Sequence, residues 1–341
     1  MSFRPRGRQV LNLGLGLAIS AGLIWWTFRR TDWDASWQYI VDVHRGWMLL
    51  AIVVATLPFP LRIPRWRILL RHEDGRPVGL AALWHAIAMG FAANNVLPLR
   101  AGEVVRTAAV SRLGHVPFAT ALSSVAVERV LDVLVGAGLL SLGLAWGGID
   151  PARTLTEGGR PLSQMATFVG SLGMAALVVA SLAAWRGEFT LRVARRLLPR
   201  GGVGDAAYRF AERILGGLGA LRSPRTAVSV VGWSLAIWLC NGAGFYTAFA
   251  AFGFPISFAG ALVLQGALMI GIAIPSSPGY FGVFEAATAG TLAALYDIPF
   301  AAGFAYGLLF HVTTFVPITF LGAWSAVRTG FRGDAIPEEE R

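Results

Sequence analysis

The chain alternates long apolar runs with short polar stretches, and this pattern predicts a bundle of membrane helices. Nine runs are predominantly apolar, and several reach the roughly 18 to 20 residues that a helix needs to cross a bilayer. Trp and Tyr residues lie near many of the run ends, as is typical of membrane–water interfaces. We therefore predict an all-α polytopic membrane protein. The runs are residues 10–28, 46–61, 79–97, 119–146, 165–185, 226–252, 258–275, 282–296 and 300–327.

Composition supports this prediction and excludes several classes of function. Hydrophobic residues make up 55% of the 341 residues and charged residues 14%, and the mean hydropathy is +0.60. Soluble domains carry about 25% charged residues. The single cysteine, Cys240, excludes an internal disulfide and a cysteine-based metal site. The sequence contains no Walker loop, G-x-S-x-G motif or His/Cys cluster, so we expect no ATP hydrolysis, no enzymatic activity, no cofactor and no metal.

All 29 basic residues are arginines, and their distribution predicts the topology of the helices rather than nucleic-acid binding. If every run before residue 165 crossed the membrane, the connector 186–225, with its nine arginines, would lie outside. If the run 79–97 instead enters from the cytoplasm, turns near Pro98 and returns through 103–112, the N-terminus, the loop 62–76, the connector and the C-terminus lie inside. These segments hold 20 arginines, and the outer loops hold five. This arrangement predicts a multi-pass protein of the cell (inner) membrane with both termini in the cytoplasm.

A second interruption of the same kind follows the run 258–275, where residues 276–285 read S-S-P-G-Y-F-G-V-F-E. In this topology it enters from outside, so we predict about six full transmembrane helices and two opposed re-entrant hairpins whose tips meet. Interrupted segments at corresponding places in inverted halves are typical of transporter binding sites. The predicted organisation is a membrane domain at 1–330 with inverted halves at 1–150 and 160–330, a basic connector at 186–225 and a polar tail at 331–341.

The tip of the first hairpin carries polar residues that suit an anion. Arg100 and Arg106 offer planar forks of donors that match a phosphate or carboxylate. Glu103 stands three residues before Arg106 and could pair with it, so the three charges could instead hold the turn shut. Asn94 and Asn95 could bond free backbone groups of the hairpin or contact substrate.

Charged residues also interrupt the run 119–146. Glu128 and Asp132 are spaced i, i+4 and share one helix face beside Arg129. Three charges within a span cost several kcal/mol unless they are paired or hydrated. We expect Glu128 or Asp132 to pair with an arginine of residues 100–112. Direct proton or ion coupling is the alternative.

The second hairpin offers a further group of polar side chains. Ser276, Ser277 and the N–H groups beside Gly279 could bind an anion. Glu285 could cap its own helix or complete the site. His311 could be a hydrogen-bonded core residue or a proton relay. The candidate substrate-binding residues are therefore Asn94, Asn95, Arg100, Glu103, Arg106, Glu128, Arg129, Asp132, Ser276, Ser277, Gly279, Glu285 and His311.

Three motifs, in this order, resemble the membrane domain of lysyl-phosphatidylglycerol synthases, whose stand-alone versions are called flippase-like membrane proteins. They are N-N-V-L-P-L-R-A-G-E-V-V-R, V-E-R-V-L-D and I-P-S-S-P-G-Y-F-G-V-F-E, and the resemblance covers almost the whole chain. Tyr280 and Phe284 stand where a small aliphatic residue and an Arg are expected, which leaves the lipid headgroup open. The resemblance assigns to the family motifs Arg100, Glu103, Arg106, Glu128, Arg129, Pro278, Gly279, Gly282 and Glu285.

The resemblance implies lipid translocation. In bifunctional members this domain is thought to move an aminoacylated lipid from the inner to the outer leaflet, while a separate cytosolic domain makes that lipid. We expect a stand-alone member without the synthase domain, which moves a membrane lipid with an anionic headgroup. A separate lipid-modifying enzyme and a second copy of the chain are candidate partners. The alternatives are a polyprenyl-phosphate or glycolipid carrier, a membrane-embedded lipid-linked transferase and a non-transporting assembly partner.

Overall fold

The computed structural model describes most of the chain, and every helix or strand element in the described part is helical, which confirms the all-α prediction. The described residues are 31–72, 74–97, 101–149, 187–197, 223–273 and 278–331, with isolated positions 22, 25, 29, 164, 168, 171, 201, 202, 204, 205, 208 and 212. Apart from these isolated positions, the predicted spans 10–28 and 165–185 lie outside them, as do half of the connector 186–225 and nearly all of the polar tail. The helices are α1 (Trp33–Val41), α2 (Arg45–Thr56), α3 (Pro58–Leu69), α4 (Leu80–Val96), α5 (Gly102–Gly114), α6 (Phe118–Trp146), α7 (Gly187–Leu197), α8 (Pro224–Phe252), α9 (Phe258–Ala273), α10 (Val283–Tyr296) and α11 (Phe300–Thr329), with a 3₁₀ turn at Pro278–Tyr280.

Three helices of the described part are long and apolar enough to cross a membrane: the continuous α2–α3 helix Arg45–Leu69, α8 and α11. Helix α6 is also 29 residues long, but it carries the three charges of the V-E-R-V-L-D motif. A protein with several such helices is a polytopic membrane protein, as the apolar pattern predicts.

The α2–α3 helix corrects the first half of the predicted topology. The apolar run ends at residue 61, and Arg62 was expected to begin a cytoplasmic loop. Helix α3 instead continues to Leu69 and carries Arg62 and Arg65 into the protein interior, where both are buried. Pro58 stands in the first turn of α3, where no intrahelical N–H bond is lost, whereas Pro64 lies inside the helix and removes one such bond. Burial of Arg62 and Arg65 is tolerated because an α6 carboxylate, that of Asp132, lies beside them and compensates their charges.

Helix α8 runs antiparallel to α2–α3 and defines the two ends of the bundle. The His44 N–H bonds the Ala251 carbonyl at one end, and Arg65 bonds Ser234 towards the other. The hairpin α4–α5 opens at the second end, where Val78, just before α4, and Leu70, just after α3, belong to one buried apolar cluster.

The hairpin α9–α10 opens at the opposite end of the bundle. Ile256, which precedes α9, packs with Met48 at the start of α2. Towards the interior, a Cβ atom at Gly279 would lie 3.0 Å from the Asn95 carbonyl oxygen and 2.7 Å from the Phe315 ring. The two hairpins therefore enter from opposite ends and meet through Asn95 and Gly279. The predicted tip residues 98–100 and 276–277 lie outside the described residues.

Each hairpin packs against the last long helix of the other half of the chain. Helix α4 packs along α11, where Gly322 lies against Ala92, and α9 packs along α6, where Gly266 lies against Leu140. Small residues at such contacts let two membrane helices approach closely. Two inverted halves would produce this crossed packing, although the repeat itself stays a prediction.

Candidate functional site

A network of buried charges fills the interior beside the first hairpin. Four arginines and three carboxylates take part, supplied by α3, α5 and α6. Because the helices lie within an apolar bundle, each charge needs an opposite charge or a polar partner nearby. The network consists of Arg62, Arg65, Glu103, Arg106, Glu128, Arg129 and Asp132.

The inner part of the network is closed to solvent. Nη1 of Arg65 lies 2.6 Å from Oδ1 of Asp132, and its Nε lies 3.4 Å from Oε1 of Glu128. Nη1 of Arg106 lies 2.6 Å from the other Glu128 oxygen, Oε2. The guanidinium carbon of Arg106 lies 3.7 Å from the centre of the Trp66 ring, a cation–π contact. The predicted pairing of Glu128 with an arginine of residues 100–112 is therefore confirmed at Arg106.

The outer part of the network is more open and joins the first hairpin to α6. Nη2 of Arg129 lies 2.9 Å from Oδ2 of Asp132, and Nη1 lies 3.5 Å from Oε1 of Glu103. The Arg129 side chain keeps 41% of its surface exposed, whereas Arg65 is fully buried. Tyr280, in the turn of the second hairpin, lies within electrostatic range of Arg129. Both hairpins thus come close to Arg129.

The sequence spacing suggested a bond between Glu103 and Arg106, but Glu103 forms its ion pair with Arg129 instead. Arg106 stands one turn further along α5 and points to Glu128, where it also stacks on Trp66. The fully buried Glu128 carboxylate needs a compensating charge more than the partly exposed Glu103 carboxylate does.

Sequence reasoning missed five side chains of the site: Arg62, Arg65, Trp66, Ser234 and Trp238. Arg62 lies 3.7 Å from Asp132 and 5.2 Å above the Phe91 ring of the first hairpin. Ser234 accepts a bond from Arg65, and the Trp238 indole N–H donates to Asp132 at 3.1 Å. The i, i+3 spacing of Arg62 and Arg65 was the available signal, since it places both on one helix face.

Among the described residues the network carries a surplus of positive charge, because four guanidinium groups face three carboxylates. Buried guanidinium nitrogens of all four arginines, including Nε of Arg129, have no hydrogen-bond acceptor among the protein atoms, and carboxylate oxygens of Glu103, Glu128 and Asp132 have no donor. Unpartnered buried atoms are costly, and because the positive groups are in excess, an anion would relieve that cost. Among the described residues, no cluster of His, Cys, Asp and Glu side chains could hold a metal ion.

Asn94 and Asn95 bond groups of the protein itself. Oδ1 of Asn94 accepts the Gly102 N–H at 2.9 Å and so satisfies a free donor at the start of α5. Nδ2 of Asn95 donates to Oγ1 of Thr319 on α11 at 2.7 Å. These bonds fit the interpretation that the two amides complete the hairpin and its contact with α11.

Glu285 and His311 form a second polar centre, on the second hairpin and α11. Oε1 of Glu285 lies 2.7 Å from Nδ1 of His311, and Oε2 accepts the Gly282 N–H at 2.7 Å. Glu285 therefore caps its own helix and also holds the histidine. None of the ion pairs among the described residues joins this centre to the arginine network. Arg100, Ser276 and Ser277 lie outside the described residues.

Comparison with known proteins gives one family and two relatives. The family model described as "Lysylphosphatidylglycerol synthase TM region" matches residues 14–322. A protein of Haloferax volcanii named "Glycosyltransferase AglD" is 27% identical over 336 residues, which cover 91% of this chain and 53% of that protein. The chain thus spans about half the length of that relative. A "UPF0104 membrane protein" of Methanothermobacter thermautotrophicus is 28% identical over 293 residues, 81% of this chain and 82% of that protein.

Proposed function

We propose, because this chain belongs to the lysylphosphatidylglycerol synthase TM-region family, that it moves a phosphate-bearing lipid between the two leaflets of the membrane without ATP hydrolysis. A phospholipid or an aminoacyl-phospholipid is the substrate class that suits the site. The headgroup would occupy the space between the two hairpins, while the acyl chains stay in the surrounding lipid.

The surplus positive charge of the arginine network carries this proposal. A phosphodiester bears one negative charge. The described network of four arginines and three carboxylates needs one negative charge to become neutral. Binding of one such headgroup would therefore neutralise the described network, at a depth where a net charge costs several kcal/mol. Planar guanidinium forks match the geometry of phosphate oxygens.

Arg129 is the arginine best placed to receive the phosphate. Its side chain is partly exposed, its contact with Glu103 is long, and Tyr280 of the second hairpin lies near it. A phosphate that displaces Glu103 exchanges one anion for another at the guanidinium, so the exchange has a small net cost. Arg65 and Arg106, which are buried against Glu128, hold the helices together.

Transport in proteoliposomes tests the proposal. Purified protein is reconstituted into vesicles of phosphatidylglycerol and phosphatidylethanolamine with a fluorescent phosphatidylglycerol, and dithionite reports how fast the probe changes leaflet. The wild type should accelerate exchange over protein-free vesicles, and Arg129→Gln should abolish the gain. Arg225→Gln, an exposed arginine at the start of α8, is the matched control. Exchange no faster than in protein-free vesicles would overturn the proposal.

One relative's name favours a second candidate. A relative named as a glycosyltransferase supports a polyprenyl-phosphate or glycolipid as the lipid, or a part in a membrane-embedded transferase. The same assay with a fluorescent polyprenyl phosphate distinguishes the two. A polyprenyl-phosphate carrier should exchange this probe faster than the phosphatidylglycerol probe, and a phospholipid flippase should do the reverse. A transferase would form product from an activated sugar donor, and an assembly partner would tolerate loss of Arg129 without losing its complex.

A further inference from the structure

The buried pair of Glu285 and His311 has no place in the phosphate site described above. Its two side chains bridge the second hairpin and α11, and its carboxylate also bonds the turn of that hairpin through Gly282. Both side chains are buried. The pair contains the two residue types that can exchange a proton near neutral pH when they share one.

We propose that the Glu285–His311 pair is a proton-binding site whose occupancy biases the position of the second hairpin. Lipid movement would then be coupled to a proton gradient. This inference rests on the proposed lipid translocation and goes beyond it, because it assigns the energy source.

Aromatic side chains surround His311 and make the environment of the pair apolar. The imidazole ring stacks on Phe284 with ring centres 4.4 Å apart, lies 4.7 Å from Phe281 and meets Phe315 edge-on at 6.1 Å. Without a shared proton the pair of carboxylate and neutral imidazole carries a net charge of minus one. With that proton it carries none. An apolar enclosure disfavours a net charge, so the enclosed position of the hairpin suits the pair that shares a proton.

The first hairpin has a different pair at the corresponding place, and the comparison shows why only one side responds to protons. There, Arg106 of the hairpin's second helix binds Glu128 of the following helix. An arginine does not lose its proton in a protein, so that link is insensitive to pH. In the second hairpin the same kind of link contains a histidine. One of the two opposed hairpins is therefore fixed by permanent charges, and the other by a titratable bond.

The proton site is connected to the meeting point of the two hairpins by three residues of chain. Gly282, bonded by Glu285, follows Phe281, which packs on His311, and Gly279 of the same turn lies against Asn95. Gly279 and Gly282 both have positive φ, at 67° and 85°. Tyr280, between them, also has a positive φ, 61°, which a residue with a Cβ atom keeps only where its surroundings hold it, so a change at Glu285 is transmitted to the contact with the first hairpin.

The other ionisable side chains on the elements packed against Glu285 and His311 bond or contact other groups, or lie at helix ends. Tyr306 donates to the Phe245 carbonyl, His85 contacts Ser325, and Tyr280 lies near Arg129. The full set on these elements is Asp34 and Tyr39 of α1, Arg45 of α2, His85 of α4, Arg225, Cys240 and Tyr246 of α8, Tyr296 of α10, Tyr306 and Arg328 of α11, and Tyr280 of the turn. His85 is the other histidine of this set and supplies the control.

The test compares lipid distribution under a pH gradient with the membrane potential clamped. Coupling of one proton per lipid lets a gradient of one pH unit drive up to about tenfold asymmetry of the fluorescent phosphatidylglycerol, since tenfold equals about 1.4 kcal/mol. His311→Gln, which keeps a donor for Glu285 but cannot titrate, should exchange the probe yet show no asymmetry. His85→Gln should behave like the wild type. Exchange without asymmetry in the wild type overturns the proton site and leaves the translocase standing.

A transport-independent measurement decides the matter if no exchange is seen, a result that overturns the translocase alone. Infrared difference spectra between about pH 5 and pH 8, the range in which histidine titrates, report protonation of the pair. Bands that vanish in both His311→Gln and Glu285→Gln, and persist in His85→Gln, support the proton site. Bands unchanged in His311→Gln overturn it, and this variant alone decides if Glu285→Gln does not fold.

Discussion

Nη1 of Arg65 lies 2.6 Å from Oδ1 of Asp132, although the two residues are 67 positions apart and both side chains are buried. Arg65 also faces Glu128, so one guanidinium group holds two carboxylates of α6 against α3. A charge buried in this way contributes little when its partners are present, but its removal leaves them uncompensated. Stability and lipid binding should therefore depend on different arginines of the network.

Replacement of Arg65 by Met should unfold or strongly destabilise the protein. Glu128 and Asp132 would each lose a partner, and removal of one partner from a buried pair costs about 3–5 kcal/mol. Thermal unfolding in detergent measures the effect. Arg71→Gln, at an exposed position beyond α3, should change the free energy of unfolding by no more than about 0.5 kcal/mol. Equal stability of the two variants would contradict the role given to Arg65.

Replacement of Arg129 by Lys should weaken lipid exchange tenfold or more, a loss of at least about 1.4 kcal/mol, with little change in melting temperature. Lysine keeps the charge but loses the planar fork. The double variant Glu103→Gln/Arg129→Gln removes a whole ion pair and should fold yet fail to exchange the fluorescent lipid. Full exchange by the double variant would show that this pair only braces the hairpin.

Replacement of Gly102 by Ala should destabilise the first hairpin. An added Cβ atom would collide with the Gly90 carbonyl oxygen and the Asn94 side chain, and such overpacking costs about 1–3 kcal/mol. Gly138→Ala is the control on α6, because nothing lies within 4 Å of a Cβ atom there. It should stabilise its helix by up to about 1 kcal/mol. Thermal unfolding of both variants tests the close approach of α4 and α5.

Cysteine labelling tests the orientation of the two hairpins in the membrane. In a Cys240→Ala background, cysteines at the exposed positions Asp74 and His115 should react only from the cytoplasmic side. A cysteine at Asp297, in the loop after the second hairpin, should react from outside. Thr154 and Thr190 extend the test to the outer loop and the connector. Labelling of His115→Cys and Asp297→Cys from the same side would contradict opposed hairpins.

Helix bounds and the pairing at Glu128 could be predicted from the sequence, because local signals specify them. The apolar run 119–146 corresponds to helix Phe118–Trp146, and the run 282–296 to Val283–Tyr296. Polar and Gly- or Pro-containing turns mark these ends within one or two residues. Arginines and carboxylates are both concentrated in residues 100–132, and this concentration predicted an ion pair between α5 and α6.

The buried arginines of α3 could not be predicted in the same way. A hydropathy argument ends a span where prolines and arginines appear, and it cannot see that Asp132 and Glu128 will compensate Arg62 and Arg65 from a helix far along the chain. The bond between Asn95 and Thr319 has the same character, since no local pattern links two residues 224 positions apart.

That last bond has a consequence for biosynthesis. The first hairpin leaves the ribosome long before the helix that holds it, because Thr319 follows Asn95 by 224 residues. At about 5–20 residues per second, a ribosome takes roughly 10–45 s to make that length of chain. During this interval the Asn95 amide and the α4 face that later meets Gly322 lack their final neighbour. The nascent hairpin therefore waits in an unfinished state, exposed to insertion chaperones and membrane proteases, until the final helix arrives.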